Sequence, residues 1–155
     1  RTHYYQTKYI AIRMKIDRID QLNNNSRVII DYKTGATTIA SWFGSRPKEP
    51  QLPIYCLSQT QDTSGIMFAQ LKANNMQFKG LVRDEDQANT SLKTVEQIRN
   101  DHKAESWDAQ IASWKNSIDK LAHNFYQGDA AADPVDVTAC AYCDLHSLCR
   151  INDND

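Results

Sequence analysis

Residues 9–17 (YIAIRMKID) alternate with period two: Ile10, Ile12, Met14 and Ile16 on one side, Ala11, Arg13, Lys15 and Asp17 on the other. That is the pattern of a half-buried strand. Residues 27–34 (RVIIDYKT) predict a second strand, with Val28, Ile30 and Tyr32 on one face and Ile29, Asp31 and Lys33 on the other. Between them residues 21–26 are polar and hold three consecutive asparagines, which favour a turn. The two runs are expected to pair as an antiparallel hairpin. Gly35 and Gly44 bracket a loop, and a short helix is expected over 49–59, with Pro50 and Pro53 tolerated only in its first turn. Residues 65–71 and 76–82 predict two more strands around Asn74-Asn75, and 84–103 predict loop with weak helix. The strongest helix spans 105–127, where Trp107, Ile111, Trp114, Ile118, Leu121 and Phe125 step by three and four before Gly128 ends it. Beyond Asp129 come loop, Pro134 and a cysteine-bearing tail over 134–151. Strands, helix, strands, helix is the order of an α/β domain on a mixed sheet.

Composition changes this picture little. The chain has 155 residues, 41% hydrophobic, enough for one domain with its own core. No apolar run approaches the ~20 residues a membrane helix needs. The start lacks both Met and an apolar signal segment, and reads as part of a longer protein. Charge is more informative. The net value of −1 divides into nine Lys/Arg against four Asp/Glu in residues 1–50, and nine against fifteen in the remainder. The first third of the chain suits a polyanion, although surface composition alone can produce such a split.

The hairpin allows a calculation. With its turn centred on Asn24, opposed residues have numbers summing to 48, as Asp17 and Asp31 do. Opposed residues share a face with Cβ atoms ~4.5–5.5 Å apart. Two carboxylates there repel unless a cation lies between them, and Lys33 stands two residues on from Asp31. A divalent ion with oxygen ligands resolves the repulsion, Mg²⁺ being commonly held by one or two carboxylates plus substrate phosphate. A one-residue slip would separate the pair. The plainer alternative is two solvent-facing acids, but the apolar run Val28-Ile29-Ile30 places Asp31 on a central strand, where an unpaired acid is costly.

Taken in order, Ile16-Asp17-Arg18-Ile19-Asp20, then Val28-Ile29-Ile30-Asp31-Tyr32-Lys33-Thr34-Gly35, then Gln51-Leu52-Pro53-Ile54-Tyr55 resemble the PD-(D/E)xK nuclease domain of the RecB/AddB type. The resemblance covers about residues 9–151. It implies a restriction-endonuclease-like core over 9–82, closed by the long helix and the tail. It also implies a Mg²⁺- or Mn²⁺-dependent deoxyribonuclease acting on single-stranded DNA or DNA ends beside a helicase partner, in repair and in the cytoplasm. Position by position, it makes Asp17, Asp31 and the Tyr32 carbonyl metal ligands. Lys33 becomes the transition-state or water-orienting cation, and Gln51 and Tyr55 line the site from one helix face. Asp20 is structural or holds Arg18. Arg13, Lys15 and Arg18 are candidate phosphate contacts, though exposed basic residues on a strand are ordinary. Such chemistry needs an activated water and neutralised phosphate charge, which a carboxylate-held metal and a lysine supply. No P-loop and no Ser/His/Asp arrangement accompany them.

Of four cysteines, Cys140, Cys143 and Cys149 cluster in the tail, and Cys56 stands apart next to Tyr55. The trio is similar to the one closing the iron–sulfur form of these nucleases, which implies a partial 4Fe–4S site lacking its upstream fourth ligand. An upstream acid or histidine at the metal site is likewise implied, and His3 is too near the start to fill that role. Cys56 is expected to be a buried apolar residue. Cys140-x2-Cys143-x2-His146-x2-Cys149 also offers four local zinc ligands, in a spacing unlike common zinc modules. Trp107 and Trp114, at helical spacing, are expected in the core rather than stacked on bases. Two other functions remain open on sequence: a DNA-binding or architectural module with a vestigial site, and a zinc-dependent interaction domain.

Overall fold

The structure is a computed structural model that describes residues 2–73, 75–87, 91–141 and 143–149. Two strands open it. Thr2–Gln6 (β1) and Ala11–Lys15 (β2) pair antiparallel as a separate ribbon, with Tyr4 opposite Arg13. Thr7 closes their turn, its Oγ1 accepting from the amides of Tyr9 and Ile10. Then come Arg18–Gln21 (β3), Arg27–Lys33 (β4), Thr63–Lys72 (β5), Asn75–Val82 (β6) and Leu92–Lys93 (β7), in one sheet of order β3-β4-β5-β6-β7. The β4–β5 and β6–β7 pairs are parallel and the others antiparallel.

The hairpin expectation needs one correction. The run 9–17 is not the strand that pairs with 27–34. It breaks after Lys15, where β2 ends, and the partner of β4 is β3. The register about Asn24 stands: Arg18 opposes Ile30 and Gln21 opposes Arg27. Asp17 lies one step beyond the last paired residue. Period-two alternation reports which side of a strand is buried, not which neighbour it bonds to. One unbroken alternation therefore serves two sheets in turn. The tight turn is built by the asparagines: Asn24 Oδ1 accepts from the Ser26 amide and hydroxyl, and Asn25 takes φ 65°, a conformation asparagine tolerates.

Gln51–Leu57 (α1) and Trp107–Tyr126 (α2) are the main helices, α2 capped by the Ser106 hydroxyl on the Ala109 amide. A 3-10 turn at Ile39–Trp42 precedes α1, and the tail carries another at Val137–Cys140 and a single helical turn at His146–Cys149. Residues 84–103 hold a 3-10 turn at Glu85–Gln87 and β7. Asn74, residues 88–90 and the last residues of the tail lie outside the described residues.

The main core joins one face of the sheet (Ile29, Ile66, Phe68, Leu81) to Trp42, to Leu52, Tyr55 and Cys56 of α1, and to Trp107, Trp114 and Ile118 of α2. Both tryptophans are core, as expected. Their indoles donate to Thr63 O (3.1 Å) and Trp42 O (2.8 Å), so neither buried N–H is orphaned. The apolar stripe of α2 departs from expectation at its end. Phe125 is 74% exposed and Ala122 is buried in its stead, because the packed face continues from Ile118 by a step of four. A smaller cluster on the opposite sheet face holds Val28, Ile30, Met67, Ala69 and Val82. Strand β4 is thus buried on both faces, as the run Val28-Ile29-Ile30 implied. Mixed sheet, packed helices and this strand placement form the expected restriction-endonuclease-like α/β architecture.

Candidate active site

The last turn of alternation on β4 brings Asp31 and Lys33 to the face covered by α1. Asp31 is buried, its side chain 3% exposed, and its Oδ2 lies 2.7 Å from Lys33 Nζ. That contact is an ion pair outside the directions of a good hydrogen bond, so Oδ2 is a buried oxygen without a well-aligned donor. Oδ1 is satisfied, accepting from Gln51 Nε2 at 3.1 Å. The Gln51 carbonyl oxygen accepts from Lys33 Nζ at 3.2 Å, and its amide also donates to the Tyr55 hydroxyl at 2.7 Å. Tyr55 in turn donates to the Lys15 carbonyl at 2.8 Å. One helical turn separates Gln51 from Tyr55, so both project from one side of α1.

Asp17 closes the group from the bend that leads into β3. Its Oδ2 accepts from the Tyr32 amide at 3.2 Å, the peptide between Asp31 and Lys33. It reaches β4 as a bonded neighbour rather than as the ladder pair expected from register alone, since the ladder ends at Arg18. Contact with the Asp31 carboxylate raises the Lys33 pKa, partial burial opposes this, and the fields of Asp31, Glu49 and Asp17 add to the rise. Lys33 is therefore an ammonium at neutral pH.

The other expected contacts are placed less uniformly. Arg13 and Lys15 are exposed on β2, and it is the main-chain carbonyl of Lys15 that enters the network. Arg18 is held by Asp20 through two bonds of 2.7 Å, and donates to the Tyr32 hydroxyl at 3.3 Å. Asp20 is thus the partner of Arg18. Cys56 is buried, and its thiol is pushed up to about 12, chiefly by burial. Cys143 and Cys149 are exposed and Cys140 half-buried. Among the described residues no three His, Cys, Asp or Glu side chains gather to hold a metal, and the iron–sulfur expectation for Cys140, Cys143 and Cys149 finds no support there. The side chain of His146 lies outside the described residues. The tail is held instead by charge: Arg46 bonds Asp133 and Lys48 bonds Asp136.

His3, set aside on sequence, and Arg27, not singled out there, line a cleft that also contains Asp17. Arg27 was legible, since it stands four residues before Asp31 and shares its strand face.

The donor set suits a hard divalent ion. It offers the carboxylates of Asp31 and Asp17, the first with a buried oxygen lacking a well-aligned donor and the second bonded to the Tyr32 amide, while Mg²⁺ takes its remaining ligands from water and phosphate.

In comparison with known families, the model of the PD-(D/E)XK nuclease superfamily matches residues 3–150. No curated protein and no solved structure matches the chain.

Proposed function

Because this chain belongs to the PD-(D/E)XK nuclease superfamily, we propose that Asp17, Asp31, Lys33, Gln51 and Tyr55 form the centre of a divalent-metal-dependent deoxyribonuclease. The observation that carries this is Asp31: a carboxylate 3% exposed, with Lys33 at 2.7 Å and Gln51 at 3.1 Å, and with Asp17 bonded to the next peptide. A buried charge so placed is expensive unless it has a ligand or a reaction to serve.

Asp31 Oδ2, Asp17 and the Tyr32 carbonyl are the oxygens that would hold Mg²⁺ or Mn²⁺. When bound, such an ion lowers the pKa of a water and neutralises phosphate charge. The chain's own groups do the rest. Lys33, kept cationic by Asp31, donates toward the phosphate oxygen on which charge grows, and does not act as a base. Gln51 holds both partners at once, fixing Asp31 through its amide and Lys33 through its carbonyl. Tyr55 holds Gln51 and anchors the assembly to β2 through Lys15 O.

The substrate reading extends to single-stranded DNA and DNA ends, with a helicase partner in repair, and the RecB/AddB-type order of motifs supports it. The test is hydrolysis of labelled oligonucleotides with Mg²⁺ or Mn²⁺. Asp31→Ala should abolish cleavage, and Lys33→Ala should lower it by about 10²–10³-fold, the size seen when a transition-state donor is removed. Cleavage by either variant at the parent rate would overturn the assignment.

A further inference from the structure

Strand β3 is an edge of the five-stranded sheet, and its free side faces the β1–β2 ribbon across a cleft of about 350 Å³. Asp17 lines this cleft at one end, with Gln21 and Arg27 at the other and His3 on the ribbon side. The register explains the alignment. Residues 27, 29, 31 and 33 share one face of β4, and Ile19 and Gln21, opposite Ile29 and Arg27, share that face across the hairpin, with Asp17 just beyond the end of the ladder. Arg27 therefore stands in the same row as Asp31 and Lys33, four residues back, or about 13 Å at ~3.3 Å per residue.

The charges in the cleft are unequal. Arg18 also lines it, but its charge is balanced by Asp20. Among the described residues the Arg27 guanidinium has no carboxylate partner, unlike Arg18 in the same cleft; Arg13 and Lys15 on β2 also have none. The acid nearest to Arg27 along the chain pairing is Asp62. Its carbonyl accepts from the Arg27 amide at 2.8 Å, but its carboxylate is taken by Arg83 at 2.7 Å. Arg27 is partly exposed, so its guanidinium with five donors is open to a phosphate. Ile16 and Ile19 also line the cleft.

We propose that this cleft is a groove for the substrate's sugar–phosphate backbone, running from the Asp17 end of the site to Arg27 as its distal phosphate contact. The proposal rests on the nuclease reading for the identity of the polyanion. Its length gives it a measurable consequence. Phosphates of one strand advance ~3.4 Å along a stacked axis and lie farther apart than that through space, so about 13 Å reaches roughly two phosphates from the scissile one. A dinucleotide cannot reach Arg27, whereas an oligonucleotide of about eight residues can.

The experiment has a binding arm and a hydrolysis arm. Binding of a labelled oligothymidylate of about eight residues is measured with metal chelated, across a salt series. Arg27→Gln should weaken it about tenfold, the size expected for loss of a charged hydrogen bond. The slope of log K against log salt should fall by ~0.7, one single-strand phosphate contact. Arg27→Lys should keep most of the slope, since it keeps the charge. In hydrolysis, Arg27→Gln should raise KM for the long substrate and narrow the preference for long over short. A variant that loses activity equally on long and short substrates, or binds with the parent salt slope, overturns the groove. That failure is distinct from failure of the nuclease reading, which would show as undiminished cleavage by Asp31→Ala.

Discussion

Gln51 is the side chain on which the site's geometry depends most, and Gln51→Ala tests how much. The substitution removes three bonds. The first is to Asp31 Oδ1 at 3.1 Å, on a carboxylate 3% exposed. Leaving a buried charged acceptor without its donor costs ~1.5–3 kcal/mol. The second is to the Tyr55 hydroxyl at 2.7 Å. Tyr55 keeps its own bond to Lys15 O, so this loss is worth ~0.5–1 kcal/mol. The third, from Lys33, counts for little, because that side chain is 35% exposed and water replaces the partner. Alanine returns a few tenths of a kcal/mol in helix propensity. The net expectation is a loss of about 2 kcal/mol, which for a chain of this length lowers Tm by about 4–8 °C. Calorimetry and urea unfolding in chelating buffer would measure it. Tyr55→Phe supplies the second edge of a double-mutant cycle. The pair should couple by more than ~0.5 kcal/mol, because both changes remove the same Gln51–Tyr55 bond. A Tm within 1 °C of the parent, or strict additivity, would refute the view that Gln51 holds the carboxylate.

Two other predictions concern the frame. A Cβ on Gly80 would lie 2.2 Å from Ile66 O and 2.6 Å from Met67 Cβ, a clash with the backbone of the central strand β5. Gly80→Ala should cost more than ~4 kcal/mol, seen as loss of soluble protein or of a cooperative melt. Gly65→Ala, whose nearest contact is the Val28 side chain at 3.1 Å, should be milder, and equal melts would refute the packing argument. Cys56 should resist thiol reagents at pH 8 in the native protein while Cys143 and Cys149 react, because burial pushes its thiol up to about 12. The same shift favours the folded state in full below the unfolded thiol value of ~8.5, and that contribution is lost as pH rises toward about 12. Native-state modification of Cys56 at the rate of Cys143 would refute it.

Much of the site was legible before the structure because its spacing is local. Asp31 and Lys33 share a face through strand alternation, and Gln51 and Tyr55 share one through the helical turn. The asparagine turn placed the hairpin register correctly, so Asp17 arrives beside Asp31's neighbouring peptide. Illegible were the partners reached through space. Lys15 contributes a carbonyl rather than its amine, and Arg18 is neutralised by Asp20 and bonded to Tyr32. His3 reaches the Asp17 cleft through the ribbon, despite its position next to the chain start.

By itself, then, the sequence determined the elements, the mixed α/β class and the identity of the carboxylate–lysine pair, since periods of two and 3.6 are properties of a chain segment alone. Tertiary structure decided where strand 9–17 breaks and which residue ends the stripe on α2. It also decided which charges keep a partner, and so left Arg27 without one beside the site. Those outcomes depend on which surfaces compete for burial and which ions compete for a counter-charge, and that competition is settled only once distant segments are packed together.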